Sequence, residues 1–222
     1  MKVLCPAHKD TIPSLHLYPE FAHCFSCGYH CKITEVPNAP KEIKREEPED
    51  VQAMVSKIIQ RPIRTIRGLK LHAGVEGFYI LWPDHSYYKL RHSGRGRYQG
   101  PRGIRPNLLL LGPEPNRCLV LIEGELNALS LAEAYPERSF SIASPGSASD
   151  LQRHIEDYKR YEMVVVVVDR DPAGIANGCV LKETLTKLGK SVMLICVPVD
   201  FNDLLQRGGP ALVRETFEKE LR

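Results

Sequence analysis

Two pairs of soft metal donors stand near the start of the 222-residue chain: Cys5-Pro-Ala-His8 and Cys24-Phe-Ser-Cys27, the second followed by Gly28. A two-residue spacer lets both side chains of one turn reach the same tetrahedral ion, and glycine relieves the tight knuckle that follows. Four such donors fill a zinc shell and leave no open position, which makes the expected site structural rather than catalytic. Four of the seven cysteines fall in the first 31 residues. No export leader is expected from the polar start MKVLCPAHKD, so that crowding favours a metal over disulfides. His23, His30 and Cys31 are nearby substitutes, but they break the symmetry of the paired turns.

A second set of residues suits hard cations. The stretch MVVVVVDRDPAG drives five valines into Asp169 and Asp171, which flank Arg170. Two carboxylates about 4 Å apart repel by roughly 4 kcal/mol at an effective dielectric of 20. A divalent cation between them removes that cost, and oxygen ligands at a strand end suit magnesium or manganese, with substrate phosphates completing the shell. Glu123, which ends the apolar run RCLVLIEG, is the third ligand or a general base. The plainer reading makes Asp169 a helix cap and Asp171 a solvated turn residue, both neutralised by Arg170. A second acid closing a second strand weighs against it.

Between these sets the charge is lopsided. From Lys57 to Arg105 there are eleven Lys or Arg against Glu76 and Asp84, an excess of +9 where the whole chain carries +3. Tyr79, Tyr87, Tyr88 and Tyr98 are interleaved with Lys89, Arg91, Arg95, Arg97 and Arg102. Arginines hold phosphates and tyrosines stack on unpaired bases, a combination suited to single-stranded nucleic acid. No GxxxxGK[ST] occurs, which excludes a P-loop ATPase.

The elements that must position these residues follow from periodicity. Val51, Met54, Val55, Ile58 and Ile59 mark a helix stopped by Pro62. GFYILW (77–82) and YYKL (87–90) form a hairpin across the turn PDHS. From 117 onward apolar strands alternate with helices: RCLVLIEG, a helix from about Glu125 to Ala134, RSFSIAS, and a helix from about Ser149 to Tyr161 with Asp150 as its cap. The series continues with MVVVVVD, a helix from Ala173 to Leu188 closed by Gly189, then SVMLICV, a loop DFND and a last short helix. The fold class is α/β, a mostly parallel sheet flanked by helices, with a zinc ribbon and a short basic α+β subdomain added. In such sheets the ligand lies beyond the carboxyl ends of the strands, so Glu123, Asp169 and Asp171 should share one crevice. The expected divisions are a ribbon at 1–35, a linker at 36–50, the basic subdomain at 51–116, the α/β domain at 117–206 and a terminal helix at 207–222. No segment approaches the ~18 apolar residues of a membrane span, and a cytoplasmic protein is expected.

In order, these motifs resemble those of the bacterial DnaG-type primases and their phage relatives. CPAHKDTIPSLHLYPE with HCFSCG resembles the family's zinc ribbon of three cysteines and one histidine. VLIEGELNALSLA and VVVVVDRDPAG resemble the glutamate and Asp-x-Asp motifs of the Toprim fold, and VDFNDLL resembles its downstream acidic segment. The resemblance touches roughly residues 1–35 and 117–206. It implies zinc on Cys5, His8, Cys24 and Cys27, and catalytic magnesium or manganese on Glu123, Asp169 and Asp171. It also implies a template- and nucleotide-binding role for the basic region, with Lys89, Arg91 and Arg102 the favoured phosphate contacts. One departure is Asn127, where the family usually has an aspartate; Asp200 or Asp203 would then help to hold a second ion.

The implied activity is synthesis of short RNA primers on single-stranded DNA from ribonucleoside triphosphates, with any helicase a separate protein. The compact format suggests a phage, plasmid or other mobile element. A non-catalytic nucleic-acid-binding accessory protein of replication or recombination is the main alternative, and a nuclease using the same carboxylates the next. Mediators of the accessory kind carry a four-cysteine zinc site and a helix-hairpin-helix, neither visible here.

Overall fold

The structure, a computed structural model, describes residues 2–9, 11–24, 26–38, 48–66, 68–93, 98–112 and 117–221. The chain divides into two compact units, Met1–Pro48 and Glu49–Arg222. The first is an antiparallel four-stranded sheet in sequence order: β1 (Lys2–Val3), β2 (Leu15–Leu17), β3 (Phe21–Cys24) and β4 (His30–Lys32). Strands this short hold few ladder bonds. Their apolar core, Leu15, Leu17, Ala22 and Val36, is filled out by the thiols of Cys5, Cys24 and Cys31.

The second unit begins with α1 (Val51–Ile59), capped by Asp50, whose side chain accepts from the Ala53 amide at 3.1 Å. Val55 and Ile58 are its buried residues. A five-stranded antiparallel sheet follows: β5 (Ile63–Ile66), β6 (Leu69–Ala73), β7 (Gly77–Leu81), β8 (Tyr88–His92) and β9 (Tyr98–Gln99). The β7–β8 hairpin has the expected register, Leu81 opposite Tyr88. β5 was not foreseen, because IRTI is mostly exposed and does not alternate; β6 was missed although Leu69 and Leu71 are buried on either side of exposed Lys70.

The remaining elements are β10 (Leu109–Leu111), β11 (Cys118–Ile122), α2 (Glu125–Ala134), β12 (Ser141–Ser144), α3 (Ile155–Tyr158), β13 (Met163–Asp169), α4 (Pro172–Lys187), β14 (Ser191–Val197) and α5 (Phe201–Glu220). They build a sheet of order β10-β12-β11-β13-β14, parallel except for β10, which runs antiparallel along β12. The valine run splits between two cores by its period of two. Val165 and Val167 join Leu126 and Leu131 of α2 and Phe201, Val213 and Phe217 of α5 on one face. Val164, Val166 and Val168 join Leu151, Tyr158, Leu181 and Leu185 on the other. Each of these valines is at most 3% exposed, a gross gain of about 1.5 kcal/mol apiece that fixes β13 at the centre of the sheet.

Three expectations change. The segment expected as one helix from Ser149 is a 3-10 turn, Ala148–His154, followed by a single α turn, and Asp150 bonds Ser147 at 2.7 Å rather than capping a helix amide. The last helix is long, starts inside the expected DFND loop and is broken at Gly209 (φ 68°, ψ −167°), ahead of Pro210. The 116/117 boundary falls within one core: Leu69, Leu71, Ile80, Trp82 and Tyr87 of the antiparallel sheet pack with residues of β11, β13 and α2. No helix among the described residues is long and apolar enough to cross a membrane.

Candidate active site and metal centre

In the first unit, β3 delivers Cys24 and the turn after it delivers Cys27, with Gly28 in the left-handed region (φ 75°) and its amide on the Cys24 carbonyl at 2.9 Å. One donor atom each from Cys5, His8, Cys24 and Cys27 lie within 4.8 Å of one another, the one such group among the described residues. Cys5 Sγ stands 3.7 Å from Cys27 Sγ. Burial pushes the Cys5 thiol up to about 11. Burial also opposes ionisation of Cys24, but Ser14, 3.2 Å from its sulfur, and the backbone amides of Cys27 and Ser26 hold that thiol down to about 6. Amides aimed at a sulfur stabilise a thiolate, the form that binds zinc. The donor set fits a closed four-coordinate zinc; His23, His30 and Cys31 do not join it.

In the second unit the parallel register brings the acids together. Ile122 pairs with Val167, and the Glu123 amide donates to the Val167 carbonyl at 3.2 Å, which sets Glu123 beside the end of β13. Burial, then Asp169 and Asp171, raise the carboxyl of Glu123 above its ordinary range. Burial, then Asp200 and Asp171, do the same to Asp169. Glu123 Oε2 is buried with no hydrogen-bond partner among the described residues. Asp171 caps α4, accepting from the Gly174 amide at 2.7 Å. The capping role thus falls to Asp171, and Arg170 is exposed, in no ion pair among the described residues. An orphaned buried oxygen among mutually repelling carboxylates is a donor set that suits a divalent cation, although the three carboxylates do not close to the spacing of the zinc group.

Gly174 is required here. A Cβ on it would lie 2.8 Å from the Asp169 carbonyl and 3.0 Å from Glu123 Oε2. Gly174→Ala is therefore expected to push Glu123 away from Asp169 and lower divalent-ion affinity by roughly 10–100-fold, the size of effect seen when a metal ligand is misoriented. Isothermal titration with manganese checks it; unchanged affinity would show that Glu123 does not need its present position.

Asn127 and the start of α5 form a small frame beside this crevice. Its Nδ2 lies 3.5 Å from Asp200 Oδ1, and its Oδ1 accepts from the Asn202 amide at 3.1 Å. Asp200 is thus the downstream acid coupled to Asp169. Asp203 accepts from Gln206 at 3.0 Å and lines a separate recess of about 350 Å³ with Arg91, His92 and Phe78.

The basic residues are arranged differently from the expectation. Lys89 is not open to a phosphate: its Nζ is 2.5 Å from Glu125 Oε1, donates to the Gly146 carbonyl at 3.2 Å, and stands 4.4 Å from the Tyr98 ring centre. Arg91 also lies over Tyr98, at 5.4 Å, and Arg102 is exposed, while Arg95 and Arg97 fall outside the described residues. Tyr79, Tyr87 and Tyr88 are core residues, 9% exposed or less, so of the four interleaved tyrosines only Tyr98, at 45%, offers a face to a base. Burying Tyr87 against Trp82 gains more than exposing it, and an aromatic-rich strand gives no sign in sequence of which face will be covered. Glu125 was missed because its place in the first turn of α2 reads as a solvated helix start, yet it is 3% exposed.

Residues 120–205 match the Toprim-like family model. No curated protein sequence matches. The fold is similar to the primase fragment of the bacteriophage T7 primase-helicase protein at 15% identity and a TM-score of 0.51, covering 97% of this chain and 98% of that one. Weaker likenesses are to a DNA primase domain from Pseudomonas aeruginosa (13% identity, TM-score 0.48, 78% of this chain and 60% of that one) and to a DnaG catalytic core (17%, 0.46, 77% and 58%). Residues 120–205 thus resemble the Toprim-like family, and the chain shares its fold with that T7 primase fragment.

Proposed function

We propose that the protein is a DNA primase, joining ribonucleotides into short RNA primers on a single-stranded DNA template. The observation that carries this reading is the meeting of Glu123, Asp169 and Asp171 at adjacent strand ends of a Toprim-like domain. The four-donor zinc group in the same chain and the likeness to a primase fragment support it.

Bound between these carboxylates, magnesium or manganese would lower the pKa of an attacking 3′-hydroxyl and neutralise the triphosphate. The chain's own residues do the positioning. Glu123 provides an unpaired carboxylate oxygen, and β13, buried on both faces, holds Asp169 rigid beside it. Asp171 is held by its bond to the Gly174 amide, and its charge adds to that of Glu123 and Asp169. Asp200, within reach of Asn127, supplies the further negative charge that a second ion requires. Arg91 and Arg102 would meet template or nucleotide phosphates, and Tyr98 would stack on a base. Zinc on Cys5, His8, Cys24 and Cys27 would shape the first unit into a template-contacting ribbon.

Incorporation of radiolabelled ribonucleotides on varied single-stranded templates, with product masses measured, tests the reading. Short oligoribonucleotides dependent on template and on magnesium or manganese are expected. Template binding without synthesis would point to an accessory protein, and degradation of labelled DNA to a nuclease.

A further inference from the structure

The Lys89–Glu125 pair is almost withdrawn from water, with side chains 17% and 4% exposed. It joins β8 of the antiparallel sheet to the first turn of α2, two residues after Glu123. The bonds around it close into a ring. Lys89 Nζ donates to the Gly146 carbonyl, and the Gly146 amide donates to Ser144 Oγ at 3.1 Å. Ser144 Oγ donates in turn to the Glu123 carbonyl at 3.0 Å. Glu123 leads through Gly124 to Glu125, which meets Lys89 again.

We propose that Lys89 and Glu125 are positioning residues that close a ring of polar contacts around the Glu123 backbone, so that the antiparallel sheet sets the place of the metal-binding carboxylate. The inference rests on the reading of Glu123 as a ligand for a divalent ion. With a buried glutamate, a carbonyl and the face of Tyr98 around it, the three donors of Lys89 are all engaged within the fold. A Glu123 backbone tied at its carbonyl to Ser144 cannot shift without breaking the ring. Removing one partner of a buried ion pair leaves an uncompensated charge, whereas replacing both with apolar side chains of similar volume is close to neutral. That asymmetry separates the pair's part in stability from its part in holding Glu123.

The test is a double-mutant cycle in the full chain with its zinc retained: Lys89→Met, Glu125→Met and the two together. Manganese affinity, read by electron paramagnetic resonance without nucleotide, is measured beside kcat and KM for primer synthesis. Each single substitution is expected to weaken manganese binding by about 10–100-fold and to lower kcat, with KM for ribonucleotide little changed. The double variant should recover the stability lost in the single ones but bind manganese as weakly as they do, because the ring is still open. Manganese binding intact in all three variants, with KM raised for Lys89→Met, would overturn the proposal and make Lys89 a phosphate contact. Should a single variant fail to fold, Glu125→Gln keeps the shape and serves in its place. It is expected to weaken manganese binding measurably, and wild-type affinity would again overturn the proposal. The manganese arm needs no synthesis, so a wild-type protein that makes no primers would sink the primase reading while leaving this one decided.

Discussion

Asp169→Ala combined with Asp171→Ala is expected to reduce primer synthesis by about 10³-fold or more. The loss is of several kcal/mol of charge stabilisation in the transition state, and each ~1.4 kcal/mol is a factor of ten. Template binding should survive, because Arg91, Arg102 and Tyr98 are untouched. Unfolding of the double variant would instead assign the aspartates a structural role. The milder Asp169→Asn carries a second, opposite expectation. Burial, Asp200 and Asp171 raise the Asp169 carboxyl in the folded protein. A folded-state pKa above the unfolded one contributes stability that is present at acid pH and is lost as pH rises through the raised value. At pH 7 the metal-free protein therefore bears a cost that Asp169→Asn removes. Its melting temperature should exceed that of the wild type near neutrality, and the gap should close as pH falls toward about 4, the ordinary carboxylate range. Magnesium should then stabilise the wild type more than the variant. A variant less stable than the wild type at every pH would contradict the strained-carboxylate account.

Removing zinc is the other large effect. Among its described residues the first unit buries only Leu15, Leu17, Ala22 and Val36 besides its cysteines, too little apolar surface to offset the entropy of ordering its backbone. Structural zinc contributes about 10–16 kcal/mol to small domains of this kind. Chelation, or Cys24→Ser, is therefore expected to unfold residues 2–38 while residues 49–222 stay folded. Hydrogen exchange resolved by segment would show protection lost in the first set and kept in the second. Protection retained at 2–38 after zinc is gone would mean that the sheet holds without its metal.

Much of the α/β part was legible because its strands are long, apolar and doubly buried, a signal that survives without knowledge of neighbours. The valine run and the helix bounds Glu125–Ala134 are the clearest cases. The placement of Glu123 near Asp169 followed from parallel pairing alone. What was hidden depended on which face of a strand is covered. Tyr79 and Tyr88 look like partners for bases until α1 is seen to pack on them through Val55 and Ile58. Lys89 looks like a phosphate contact until Glu125 is seen to meet it from a residue 36 positions away. β10 was hidden for another reason: Leu109–Leu111 pairs with β12 across a separation of more than thirty residues, and a three-residue strand has no periodicity to read. The last helix was read from 207 because DFND looks like a loop, whereas it starts at Phe201, turns at Gly209 and resumes at once.

The core shared by Trp82, Tyr87 and Leu71 with Val120, Val165 and Leu131 bears on how this protein could be rebuilt. A cut at the 116/117 boundary would leave apolar faces bare on both fragments, and each would be prone to aggregate. Pro48 ends the first compact unit, so residues 49–222 are the piece to transplant, fuse or exchange with a relative as one cassette.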